Sequence, residues 1–294
     1  MILHRHLRHK FVKYPVYYNV NAEKKQIFCK NFSNFSHILL IFWYDRSQRK
    51  EPITGRGEVN VKETAVYSTQ PKKYRHEYKH VITYADYLAL RARLSAVAKR
   101  DKNAGADGIY RIRSLYFDNV YDKALKEKLD GINHREKFRI RFYNDDLSFI
   151  RLEKKSKVNG LCGKVSTKIT KEECEKLLNG DMEWMLQRND GLLTEFYSKI
   201  QYQELRPKTV VEYLREPFVF EPGNVRVTLD SEIRTGLHEE RFLDPDMATM
   251  STGNEIVLEV KYDEFLPEVI RNIVQVERAR TSAYSKYAVA RIYG

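Results

Sequence analysis

What this chain has little of narrows its class before any motif does. Its three cysteines, Cys29, Cys162 and Cys174, are too few and too scattered for a disulfide framework, and no CxxC or Cys/His spacing suggests zinc. A reducing compartment fits that usage. The longest apolar run, His37 to Tyr44, is eight residues long, against the roughly 20 needed to cross a bilayer. Basic residues open the chain, but no apolar stretch with a small-residue cleavage site follows as a signal peptide requires. Phosphate-loop and serine-hydrolase signatures are missing too: the nearest stretch, Gly160 to Val165, lacks the spacing and the hydroxyl of GxxxxGK[ST], and GxSxG does not occur. Internal repeats and low-complexity tracts are likewise lacking.

What is present is an ordinary folding composition, 42% hydrophobic and 12% aromatic over 294 residues, enough to bury a sizeable core. The formal charge of +12 suggests nucleic acid until it is divided along the chain. Residues 1–73 hold 14 Lys/Arg against 5 Asp/Glu, which is +9, and the remainder holds 38 against 35, which is +3. The main domain therefore offers no generally basic surface for phosphate backbones, and any anion site depends on local placement of charge. Residues 1–71 are expected to form a basic, poorly ordered extension, with a membrane-surface anchor as the sharper reading.

From Lys72 onward the punctuation becomes regular. Strands are predicted over Arg75–Ile82, Tyr110–Asp118, Glu136–Asn144, Phe149–Lys157, Gly163–Thr170, and within Thr209–Phe218, Asn224–Arg234 and Asn254–Asp263. Thr83 with Asp86, and Thr170 with Glu173, offer capping boxes for helices. About eight strands without a βαβ rhythm argue for an α+β fold: an antiparallel sheet, closed or nearly so, with helices packed outside.

The strand charges share a face. Glu136–Asn144 sets Lys137, Arg139, Arg141 and Tyr143 opposite Phe138, Ile140 and Phe142. The same alternation groups Arg75, Glu77 and Lys79; Arg111 and Arg113; Arg151, Glu153 and Lys155; Lys164, Ser166 and Lys168; Val211, Tyr213 and Arg215; Arg226, Thr228 and Asp230; and Glu255, Glu259 and Lys261. Helices need apolar surface, so they belong over the apolar face. If the sheet closes, the charged faces point into a lumen only wide enough for side chains or a small ligand. Enclosing many cations there is costly unless anions supply countercharge. Arg suits a bidentate grip on phosphoryl oxygens and Lys suits point neutralisation. Glu77, Glu153 and Glu259 would repel phosphate directly, so their expected task is to hold a divalent cation, Mn²⁺ or Mg²⁺.

In this order, Arg75–His80, Ile112–Asn119, Lys137–Asn144, Leu152–Lys157, Val211–Glu216, Val225–Arg234, Leu258–Tyr262 and Ala283–Tyr287 together resemble the triphosphate tunnel metalloenzymes, and within them the VTC domain, the polyphosphate polymerase module. The resemblance covers residues 72–294. It implies an eight-stranded β-barrel tunnel that binds ATP and moves its terminal phosphoryl group onto a growing polyphosphate chain, releasing ADP. By that resemblance Lys79, Arg139, Arg141, Lys155, Arg215, Arg226 and Lys286 look like phosphate ligands and Glu259 like the principal metal ligand. Lys164 or Lys168 supplies a further cation, Arg113 and Lys261 are additions, and Arg75 and Tyr213 complete the substrate-binding set. Hydrolytic members open with ExExK. Here Arg75 stands where the first Glu would, which points toward the polymerase branch. Competing readings are a triphosphate hydrolase of the same fold and a non-catalytic polyphosphate or inositol-phosphate binding module. No specific nucleic acid partner is expected, base recognition is expected to be weak, and a cytoplasmic setting with an integral-membrane partner is implied.

Overall fold

The computed structural model describes residues 74–276 and 284–293. The expectations for residues 1–71 lie outside the described residues. In chain order the elements are β1 (His76–Ile82), α1 (Tyr84–Val97), β2 (Lys99–Arg100), β3 (Tyr110–Asp118), α2 (Lys123–Leu129), β4 (Arg135–Tyr143), β5 (Asp146–Val158) and β6 (Leu161–Ile169). They continue with α3 (Lys171–Leu178), α4 (Trp184–Gln187), α5 (Gly191–Gln203), β7 (Arg206–Phe220), β8 (Val225–Gly236), β9 (Thr249–Ser251), β10 (Ile256–Tyr262), α6 (Glu268–Val274) and α7 (Lys286–Tyr293).

Local chemistry explains the boundaries. Both predicted capping boxes form: Thr83 Oγ1 accepts from the Asp86 amide and Thr170 Oγ1 from the Glu173 amide, each at 3.1 Å. Asn159 and Gly160 both take positive φ, 47° and 85°, as a two-residue hairpin between β5 and β6 requires.

Eight strands run antiparallel in the order β1-β10-β8-β7-β3-β4-β5-β6, with short β2 and β9 added on β7 and β8. The sheet curls until its first and last strands meet. Arg75 and Cys162 form an antiparallel bridge, each amide donating to the other's carbonyl at 3.0 Å. The seam joins the beginning of β1 to the beginning of β6, the stagger that a tilted, closed sheet demands.

The apolar face lies outside. α3, α4 and α5 cover Phe117, Phe138, Ile140 and Leu152, whereas α1 and α6 cover Phe218, Val227, Leu229 and Leu258. α7 departs from the expected exterior packing. Its Tyr287 and Ala290 pack with Ile112, Tyr116, Val211, Tyr213 and Val257, which face the lumen. One part of the interior is therefore apolar, and α7 fills it. Among the described residues, no helix is long and apolar enough to cross a membrane.

Candidate functional site

Strand register converts sequence alternation into a three-dimensional surface. Three rows cross β4, β5 and β6: Arg141 faces Arg151 and Lys168; Arg139 faces Glu153 and Ser166; Lys137 faces Lys155 and Lys164. Two rows of three cations thus flank one row that holds a carboxylate. Across the lumen, Lys79 pairs with Glu259 in register and Glu77 with Lys261, while Asp230 pairs with Arg215.

The carboxylates bind these cations unevenly. Glu153 accepts from Arg139 Nε at 2.8 Å and from Lys164 Nζ at 3.0 Å. Burial pushes the Glu153 carboxyl up, but Arg139 and Arg141 outweigh it and hold the group far below the carboxylate range. Asp230 takes Arg215 in a two-pronged contact, 2.6 and 2.7 Å, and Lys286 Nζ of α7 at 2.5 Å. Glu259 lies 3.3 Å from Lys79 Nζ, 3.7 Å from Arg215, and touches Lys261. Glu77 lies 3.2 Å from Lys79, 3.5 Å from Lys261 and 3.7 Å from Lys155.

Other cations are less fully paired. Arg141 is 4% exposed. Its guanidinium donates to Ser114 Oγ at 2.8 Å and to the Tyr213 hydroxyl at 3.0 Å, and among the described residues it meets no carboxylate within ion-pair range. Lys137 stands over the Tyr116 and Tyr287 rings, 5.3 and 5.9 Å from their centroids. Burial drives Lys137 down to about 8. Glu77 pulls Lys155 upward, yet burial with Lys261, Arg139 and Lys79 brings it down to about 7. Tyr116, pushed up by burial, is drawn down to about 6 by Arg139, Lys137 and Arg141.

Most predicted site residues converge on the lumen: Lys79, Arg139, Arg141, Lys155, Tyr213, Arg215, Lys261, Lys286, Glu77, Glu153 and Glu259. Both Lys164 and Lys168 face inward, in different rows. Arg226 sits nearer a mouth, 2.6 Å from Asp101 and donating to the Tyr110 hydroxyl at 2.8 Å. Arg75 is tied to Asp263 at 2.8 Å beside the seam. Arg113 is a correction. It shares the outer face of β3 with buried Leu115 and Phe117, and it is satisfied there by Glu212 Oε2 at 2.7 Å and the carbonyls of Phe242, Asp244 and Pro245. The apolar neighbours decide which way that face turns.

Three contributors were not singled out as site residues from sequence: Lys137, Arg151 and Asp230, all legible from the alternation itself. Asp101 comes from a loop and carries no such signal. His76-Glu77-Tyr78-Lys79-His80 also spells HExxH. On a helix its histidines would share a metal. On β1 they stand about 13 Å apart at 3.3 Å per residue, with His76 stacked on Tyr262.

For a divalent cation the donors are hard oxygens. Among the described residues no group of three His, Cys, Asp or Glu is placed to hold a metal. Glu153 is committed to Arg139 and does not join the other two expected ligands. Glu77 and Glu259 share Lys79 and Lys261, and Glu77 Oε2 is buried without a hydrogen-bond partner. Two carboxylates plus phosphate oxygens suit Mg²⁺ or Mn²⁺, which rarely take an all-protein cage.

The sequence model of the VTC domain matches residues 74–293. No curated protein matches the chain in sequence. Similar solved structures include a putative adenylyl cyclase from Hippeastrum, reported to reveal a dominant triphosphatase activity: 15% identity, 74% of this chain and 96% of that one, TM-score 0.46. A putative adenylate cyclase from Bacillus halodurans is 13% identical over 65% of this chain and 82% of its own, TM-score 0.41. The PH1819 protein of Pyrococcus horikoshii is 12% identical over 75% of this chain and 100% of its own, TM-score 0.40.

Proposed function

The chain belongs to the VTC domain family, and from that premise we propose that it is a polyphosphate polymerase, transferring the terminal phosphoryl group of ATP to the end of a growing polyphosphate chain and releasing ADP. The supporting observation is the pair of cation rows. Arg141, Arg151 and Lys168 lie side by side, and like charges directly opposite each other on a sheet are destabilising. A linear polyanion running across the rows relieves that repulsion.

Phosphoryl transfer needs alignment and charge neutralisation more than covalent help from protein. Arg139 and Arg141, held by Glu153, Tyr116, Ser114 and Tyr213, present fixed donors to phosphoryl oxygens. Lys155 and Lys137 add charge that is only partly neutralised. Arg215 and Lys286 are aimed by Asp230, so their reorganisation on binding is small. A divalent cation, when bound by Glu77 and Glu259, supplies further neutralisation of phosphate charge. The incoming chain end is itself the nucleophile. Incubation of the full chain with ATP and Mn²⁺ is expected to yield acid-labile chains and ADP; orthophosphate without chains would instead identify a hydrolase.

Proton linkage gives a second test. A bound polyanion stabilises the charged forms of Lys155 and Lys137, which titrate near 7 and 8 in the free tunnel. Polyphosphate affinity is therefore expected to fall as pH rises from 7 to 9, with proton uptake on binding at pH 8. The empty domain behaves oppositely. Both lysines titrate below their ordinary value of 10.5, so between about 7 and 10 the unfolded chain binds more protons and stability rises with pH. Calorimetry in buffers of different ionisation enthalpy reads the uptake, and a pH-independent affinity would remove these lysines from the site.

The proposal includes a cytoplasmic setting, where ATP is available, and an integral-membrane partner that receives the product, with residues 1–71 as a separate basic extension. Recovery of the full chain entirely apart from membranes after lysis would argue against the partner.

A further inference from the structure

The mouth of the tunnel beside the β4–β5 hairpin carries aromatic rings that phosphoryl transfer does not use. Phe149 is 40% exposed. Its neighbour Ile150 is buried in the outer core, so alternation turns Phe149 toward the lumen. Its contacts agree. The Arg151 guanidinium lies 5.4 Å from the ring centroid, and the Tyr143 ring lies 6.4 Å away, tilted by 41°. Tyr143 in turn meets Tyr110 edge-on at 5.6 Å.

A single exposed phenylalanine is ordinary. Its company here is not. Arg151 Nε is buried without a hydrogen-bond partner among the described residues, and the side chain makes no ion pair there. A buried guanidinium donor left unpaired carries a desolvation penalty that an incoming acceptor removes. Aromatic rings next to arginine are the combination on which nucleobases stack, because every base offers a π-face and the cation favours it.

Position supplies the rest. Arg151 is the cross-strand partner of Arg141, and Phe149 stands two residues farther toward the mouth, about 7 Å along the strand. A nucleotide whose phosphates run across the rows, with the row of Arg141 and Arg151 nearest the mouth, carries its sugar just beyond Arg151 and its base over Phe149. We propose that Phe149, with Tyr143 and Arg151, forms a base-stacking subsite for the nucleoside triphosphate donor. This rests on the polymerase reading of the tunnel and revises the expectation of weak base recognition. Affinity for the base comes from ring overlap without hydrogen-bond readout, so purine nucleotides are preferred over pyrimidine ones while ATP and GTP are barely distinguished.

The test compares ATP, CTP and inorganic tripolyphosphate binding to the full chain by calorimetry. The parent protein is expected to bind ATP more tightly than CTP. Phe149→Ala is expected to lower the ratio of ATP to tripolyphosphate affinity about tenfold, within the range for loss of one stacked base, and Phe149→Trp to restore it. An unchanged ratio in Phe149→Ala overturns the subsite and leaves the tunnel reading standing. Failure of the parent chain to bind tripolyphosphate overturns the tunnel reading and the subsite together.

Discussion

Replacing Arg141 with methionine is expected to slow phosphoryl transfer about 100-fold, the lower end for removing one preorganised donor, while the empty domain melts at the same temperature or higher. The two effects have opposite signs for one reason. Arg141 is buried beside Arg151 and is held by two hydroxyls and no carboxylate among the described residues. Glu153, which Arg141 helps to hold ionised, keeps its direct contacts with Arg139 and Lys164, so no buried countercharge is stranded, and the removal relieves repulsion within the row. Methionine fills much of the vacated volume, so the cavity penalty stays small. Initial rates of ADP release with thermal denaturation of the same preparation test this. A large drop in melting temperature with an unchanged rate would make Arg141 a structural residue.

Asp230→Asn behaves in the other way. The carboxylate is fully buried and neutralises two buried cations, Arg215 and Lys286, from different elements. Burial pushes its pKa up, but Arg215 and Lys286 hold it below the carboxylate range. Removing the charge leaves Lys286 uncompensated and Arg215 with only its 3.7 Å contact to Glu259, a loss of about 3 to 5 kcal/mol. For a domain of this size that lowers the melting temperature by roughly 10 °C. Asparagine keeps the volume, so the loss reports charge. Polyphosphate added to the variant is expected to recover part of it, because a ligand that binds only the folded state stabilises by mass action and supplies the missing anion. Urea denaturation with and without polyphosphate measures both parts, and a variant as stable as the parent would remove Asp230 as the anchor of α7.

Much of this was legible in the chain. Period-two alternation identified the cations that meet in the lumen because side chains on a strand alternate faces whatever the strand packs on. Thr83, Thr170 and the Asn159-Gly160 turn acted locally, through hydrogen bonds and backbone dihedrals within a few residues, so they too were readable. Arg113 was misread for the complementary reason. On β3 two faces compete, one with Arg111 and Arg113 and one with Tyr110, Ile112 and Ser114, and neither is plainly the core face. Leu115 and Phe117 settle it by packing against helices distant in sequence.

α7 entering the lumen, Asp101 reaching Arg226 and the metal-ligand candidates reducing to Glu77 and Glu259 are likewise products of assembly. Alternation along the chain determined which side chains travel together; it is a relative property of neighbouring residues. Which group turns inward, and which carboxylate meets which cation, was decided only when the stagger of the closing sheet brought strands from opposite ends of the chain to one level around a common axis.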